Sequence, residues 1–183
     1  MSDAPGFRES LLAAVPVLRA FALSLSKNAD RADDLVQETL VKAWDKQESF
    51  QPGTNLKAWL FTILRNEFYS QMRKRKREVE DSDGSITASL SIHPSQDGSS
   101  DLNDFKKALA RLPEDQREAI ILIGANGFSY EEAAEICGCA VGTIKSRVSR
   151  ARTRLQEILS IEGEGEFGPD PIAAQVTSAA SVA

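Results

Sequence analysis

Residues 129–155 read Ser-Tyr-Glu-Glu-Ala-Ala-Glu-Ile-Cys-Gly-Cys-Ala-Val-Gly-Thr-Ile-Lys-Ser-Arg-Val-Ser-Arg-Ala-Arg-Thr-Arg-Leu. Ser129 with Glu132 three residues on is a capping box, which predicts a helix start. Ala133, Ala134 and Ile136 give that helix a small-residue face that a second helix can cross closely. Gly138 falls where the chain must reverse, a position that often requires positive φ. Beyond it Val141, Ile144, Val148, Ala151 and Leu155 recur at steps of 3, 4, 3 and 4, one buried stripe of a second helix. Thr143, Lys145, Ser146, Arg147, Ser149, Arg150, Arg152 and Arg154 lie off that stripe. The pattern is a helix-turn-helix with a second helix suited to the DNA major groove. A cationic helix face is more often plain solvated surface. Here the cations are confined to the second helix and alternate with short hydroxyl residues, which is what base-edge and phosphate contacts need.

Working outward, the chain of 183 residues has a formal net charge of −5, an unexpected sign for a DNA-binding protein. The distribution resolves it. Residues 73–77 are Arg-Lys-Arg-Lys-Arg, and 145–154 hold five more cations. Residues 78–104 hold seven carboxylates and no Lys or Arg, and the tail from Glu162 holds four carboxylates and no cation. Two basic sites are thus separated by an acidic connector. Cys137 and Cys139 are one residue apart, too strained for a mutual disulfide, and His93 completes no metal set. They read as small packing residues of a reduced, cytoplasmic protein with no metal and no cofactor. The apolar stretch Leu11–Leu25 is interrupted by Pro16 and Arg19 and reads as a core helix, with no membrane role.

The expected fold is all-α, two small helical domains joined by a flexible acidic linker. The first spans 7–77. Its first helix, about 7–26, buries Leu11, Leu12, Val15, Leu18, Phe21 and Leu25, with Pro16 a kink or break. A second helix, about 31–47, is capped by Asp30 and buries Leu35 or Val36, Leu40, Ala43 and Trp44. After a Pro52-Gly53 turn, Thr54 or Asn55 caps a third helix to about residue 75, apolar at Leu56, Trp59, Leu60, Ile63, Leu64, Phe68 and Met72. Residues 78–101, rich in Ser and acids, read as the linker. The second domain, 102–161, holds helices at 102–111 and 114–125 ahead of the helix-turn-helix, and 162–183 is a disordered tail.

Four blocks in order carry a resemblance: Asp33-Asp34-Leu35-Val36-Gln37-Glu38-Thr39-Leu40-Val41-Lys42-Ala43-Trp44; Trp59–Asn66; Leu112–Arg117; and Tyr130–Ala134 with Val141–Arg147. Together they resemble the extracytoplasmic-function sigma factors of bacterial RNA polymerase. The run Phe50–Asn55 and the Arg73–Asp81 stretch resemble the alphaproteobacterial general-stress-response subgroup. The resemblance implies that the first domain (region 2) docks on the polymerase clamp through Asp34, Gln37, Glu38 and Asp45. It further implies −10 recognition by Arg65, Asn66, Tyr69, Arg73, Lys74, Arg75, Lys76 and Arg77, with Asn66 lining a flipped-base pocket. The second domain (region 4) would read the −35 element through Thr143, Lys145, Ser146, Arg147, Ser149, Arg150 and Arg152. Ile123 departs from the pattern, since several relatives carry a basic residue there. Implied partners are core RNA polymerase (β and β′), promoter DNA and a small NepR-like anti-sigma factor, the free chain being a monomer. The linker would thread the polymerase's RNA path or serve as a solvated tether. No nucleophile–base pair, phosphate loop or metal set supports an enzyme. An ordinary helix-turn-helix regulator would not explain the Asp33–Trp44 block. A sigma mimic that titrates an anti-sigma factor would be expected to lose the cations that are kept here.

Overall fold

The computed structural model describes residues 6–81 and 100–159, and every element among them is helical. The order is α1 (Phe7–Ser26), α2 (Ala29–Asp45), a 3-10 turn (Gln47–Ser49), α3 (Leu56–Asp81), α4 (Ser100–Ala110), α5 (Glu114–Ile120), a π turn (Ile121–Ala125), α6 (Tyr130–Cys137) and α7 (Val141–Leu159). Most of the linker reading (82–99) and the tail reading (162–183) lie outside the described residues.

Helices α1, α2 and α3 form a three-helix unit. Leu11, Leu18, Phe21, Ala22 and Leu25 of α1 are buried against Leu35, Val36 and Ala43 of α2 and Leu60, Phe61 and Leu64 of α3. Pro16 lies inside an unbroken α1. It costs little there, because Pro16 and Leu12 both face solvent, where water can meet the carbonyl that Pro16 leaves unbonded. Leu12, expected inside, is 58% exposed for the same reason. The cap of α2 is Asn28, not Asp30: Asn28 Oδ1 accepts from Arg31 N at 2.9 Å. Trp44 corrects another expectation. The buried face of α2 runs Ala32, Leu35, Val36, Thr39, Ala43, and Trp44 sits one residue past that face, 48% exposed. Met72, expected to continue the apolar face of α3, is 45% exposed. The turn before α3 is built as read: Pro52 precedes Gly53 at φ 89°, and Thr54 N donates to Gln51 O. Asn55 supplies the cap, accepting from Ala58 N.

In the other unit α6 and α7 form the helix-turn-helix. Ser129 and Glu132 make the reciprocal capping box at 3.1 and 2.9 Å. Gly138 takes φ 63°, closing α6 in the left-handed region. Ile144, Val148, Ala151 and Leu155 are buried and Val141 half-buried. A small satellite core of Ala108, Leu112, Ala151 and Leu155 fastens α4 to α7. One continuous helix over 114–125 was expected. Instead the chain widens into the π turn at 121–125, and Asn126 N donates back to Ile121 O.

The two units share one core. Phe61 stacks on Phe21 at 4.7 Å within the first unit and meets Phe128 of the second edge-on at 5.0 Å. Phe61→Ala is therefore expected to cost about 3–5 kcal/mol by cavity formation, whereas Trp44→Ala, at an exposed site, should cost well under that. Urea unfolding followed by far-UV circular dichroism checks both; equal effects would contradict the shared core.

Candidate nucleic-acid interface

On α3 the candidate −10 residues divide by helical phase. Lys57, Phe61, Arg65 and Tyr69, at every fourth position, face the second unit. Asn66, Ser70, Arg73 and Arg77, at steps of 4, 3 and 4, form a second stripe that is exposed throughout. Lys74, Arg75 and Lys76 are exposed beside it, with Lys74 3.9 Å from Glu78. The structure thus brings Asn66, Arg73 and Arg77 onto one open stripe, leaves Lys74, Arg75 and Lys76 exposed around the helix from it, and removes Arg65 and Tyr69 from that surface.

Arg65 is engaged within the chain. Its Nε donates to Glu118 Oε1 of α5 at 2.7 Å, and its guanidinium lies 4.6 Å from the Tyr69 ring centroid. Burial alone would lower the Arg65 pKa, but the Glu118 carboxylate outweighs it and the value rises. Glu118 is 1% exposed, and burial pushes its carboxyl above the usual range against the pull of Arg65. Burial likewise raises the Tyr69 hydroxyl. Two more polar links close the same seam. Lys57 Nζ donates to Asn126 O at 2.7 Å while lying over the Phe128 ring, and Asn55 Nδ2 donates to Glu132 Oε1 at 2.6 Å. Lys27, the left-handed cap of α1, donates to Ala110 O at 3.3 Å.

On α7 the candidate −35 residues also separate. Ser149 and Arg150 are exposed; Thr143, Lys145, Ser146, Arg147 and Arg152 are partly covered. Lys145 reaches over the Tyr130 ring at 5.8 Å, and Ser146 Oγ donates to Thr143 O at 2.8 Å. Arg147 is held at 3.2 Å from Asp115 of α5. Cys139 sits beside it in the turn, while Cys137 is buried, its thiol pushed up to about 12 by desolvation. Half-buried Ile123 lines a mostly apolar groove of about 430 Å³ with Phe105, Leu109, Ile120, Val148 and Leu155, and the candidate −35 residue Arg152 borders the same groove. On α2, Asp34, Gln37, Glu38 and Asp45 share the exposed face with Val41, which is 59% exposed. Glu38 accepts from Gln71, and its contact with Glu67 pushes its carboxyl up. Glu118, Lys57, Asn55 and Glu132 were not among the residues singled out from sequence as site residues. Nothing in the spacing marks them, because their partners lie in the other half of the chain.

Two family models match: Sigma-70 region 2 over residues 12–78 and Sigma-70, region 4 over residues 102–155. The chain is 64% identical over 163 residues to the ECF RNA polymerase sigma factor EcfG of Rhodopseudomonas palustris (strain TIE-1), covering 89% of this chain and 90% of the relative. Its structure is similar, at TM-score 0.77 and 71% identity, to the sigma factor RpoE in a co-crystal with the anti-sigma factor NepR from Bartonella quintana, over 86% of this chain and 98% of that one. The PhyRSL–NepR complex from Sphingomonas sp. Fr1 matches at TM-score 0.64 and 17% identity over 88% of this chain and 95% of that one, a likeness of fold.

The two seam carboxylates respond oppositely to pH. The backbone N–H of Ser129 and then the Asn55 amide hold Glu132 below its ordinary value of 4.5, so its contribution is complete above that pH and is lost as pH falls through the lowered folded value. Glu118 is raised, so acidification from its raised value down to the ordinary one favours the folded state. Glu132→Gln should therefore flatten the acid-side loss of stability. Urea midpoints measured from about pH 3 to 7 check this; an unchanged acid limb would refute it.

Proposed function

Because the chain belongs to the extracytoplasmic-function sigma factors of the sigma-70 family, we propose a division of labour between its halves in directing core RNA polymerase to promoters. The unit α1–α3 reads and melts the −10 element, and the unit α4–α7 reads the −35 element. It does so in the cytoplasm by binding and remodelling DNA, without covalent chemistry. The observation that carries the reading is the pair of open cationic surfaces on separate halves: Asn66, Arg73 and Arg77 on α3, and Ser149 with Arg150 on α7. Asn66 can donate to and accept from an unstacked base edge, while the neighbouring cations hold phosphates. Clamp docking by α2 is supported by Val41 and Trp44. These are large apolar side chains left exposed beside Asp34, Gln37, Glu38 and Asp45, as an unfilled interface requires.

Opening belongs to this reading. The two promoter elements are separate sites along the duplex, and in the closed body α3 packs on α6 and α6 on α7, which holds the two readers together. Residues 82–99 can span up to roughly 60 Å, enough to let the halves separate on a promoter. A NepR-like anti-sigma factor is the partner proposed to keep the readers together, by analogy with the Bartonella relative. The sigma-mimic alternative is disfavoured by the retained Lys145, Arg147 and Arg150.

Run-off transcription with purified core polymerase on a genomic promoter pool tests the reading: new transcripts should depend on the protein, and none would leave the repressor or mimic reading. Arg150→Ala should weaken −35 binding by about 1–3 kcal/mol, roughly five- to 150-fold; unchanged promoter affinity would remove Arg150 from the base-reading set. Asn66→Ala should leave core binding intact while lowering permanganate reactivity of the melted −10 region. Normal melting would exclude the base-pocket role.

A further inference from the structure

We propose that Glu118 is an internal decoy for a promoter phosphate, occupying the Arg65 guanidinium so that the free sigma factor cannot use it on DNA. The inference rests on the reading of Arg65 as a −10 contact. Its geometry is that of an anion site already filled. A carboxylate oxygen lies 2.7 Å from Arg65 Nε, at 1% and 19% side-chain exposure for the two partners. Tyr69, another candidate −10 residue, is drawn into the same seam, its ring under the guanidinium. Within the second unit Asp115, also of α5, lies 3.2 Å from Arg147, a candidate −35 phosphate contact, in a more exposed pair that separation of the halves leaves in place.

Opening exposes Glu118 and frees Arg65 for a phosphate. Glu118→Gln keeps shape and hydrogen-bonding capacity but leaves the Arg65 cation in the seam without a countercharge. The closed form is then penalised, and separation is the route by which Arg65 regains a solvated or DNA-bound state.

The test uses the full chain free of polymerase. The probe is a fluorescent single strand from the non-template −10 region of a promoter that run-off transcription identifies. Glu118→Gln should enlarge the radius of gyration by small-angle scattering and tighten probe binding at least about threefold. The salt dependence should steepen by about 0.7, the single-strand value for one added phosphate contact. Adding Arg65→Ala to Glu118→Gln should cancel the gain in affinity and, by removing the unpaired cation, restore the compact form. A compact variant with unchanged affinity overturns the lock itself. An enlarged variant without a gain overturns the decoy, and with it the assignment of Arg65 to DNA. Should the buried substitution impair folding, Asn55→Cys with Glu132→Cys in a Cys139→Ala background, joined across the exposed rim of the seam by a short, reductively cleavable bifunctional maleimide, locks the halves together. The cross-linked form should lose transcription and the share of probe binding that Arg65 supplies, and regain both on reduction; full activity when cross-linked would overturn the proposal.

Discussion

Helix α3 carries two stripes that cannot both be free when the molecule is closed. One, Lys57–Phe61–Arg65–Tyr69, is the spine on which the second half is mounted. Phe61 supplies the apolar centre between Phe21 and Phe128, and Lys57 and Arg65 flank it with directed polar links. The other, Asn66–Ser70–Arg73–Arg77, stays in water. A helix turns 100° per residue, so adjacent residues such as Arg65 and Asn66 are assigned to different surfaces although both belong to the proposed −10 reader. Partition of that reader between seam and solvent is the constraint from which the rest follows. The open stripe can meet DNA at once, whereas the seam stripe can do so only after the halves separate.

Electrostatics give the seam its selectivity. A chain of formal charge −5 that binds a polyanion must keep its acids away from its cations or use them to mask those cations. Both arrangements occur. The acids of 78–104 are segregated in sequence, while Glu118 and Asp115 are brought by folding onto Arg65 and Arg147. Segregation leaves Arg73–Arg77 exposed; masking removes two cations from use without deleting them.

How much of this was legible in the chain depends on the range of the interaction. The helix-turn-helix was readable because its determinants are local. A capping box spans three residues, Gly138 marks the left-handed turn, and the Val141–Leu155 stripe obeys one helical period. The exposed α3 stripe was not separable in the same way: Asn66 came from the family resemblance, and Arg65 and Tyr69 were read with it as one surface. Arg65–Glu118 spans 53 positions and Asn55–Glu132 spans 77, and in both pairs the residue types are those of ordinary solvated helix faces. Only closure of the two halves buries them. Trp44 and Leu12 misled in the opposite sense: apolar residues adjoining a buried stripe read as part of it, yet one step of 100° carries each into solvent. The π turn at 121–125 has no propensity signature, and it shifts Ile123 into the wall of an apolar groove where a DNA contact was the family expectation.

A two-state body of this kind makes regulation a matter of differential affinity. A partner that binds only the closed form deepens it, and one that binds only the separated halves, as proposed for polymerase with promoter DNA, draws the equilibrium the other way. The shared aromatic core sets how far each must pull. Phe61 and Phe128 lose contact on opening, as do the links at Asn55, Lys57 and Lys27, so opening exposes apolar surface that only a large interface can cover again. A short duplex or single strand offers phosphates but little apolar area, and therefore cannot compensate for that exposure by itself. The multisubunit polymerase has the area to do so, provided it covers faces that only separation exposes. On this account DNA reading is conditional on polymerase docking for a physical reason: the enzyme supplies the apolar surface that replaces the seam, and the promoter then replaces the carboxylates.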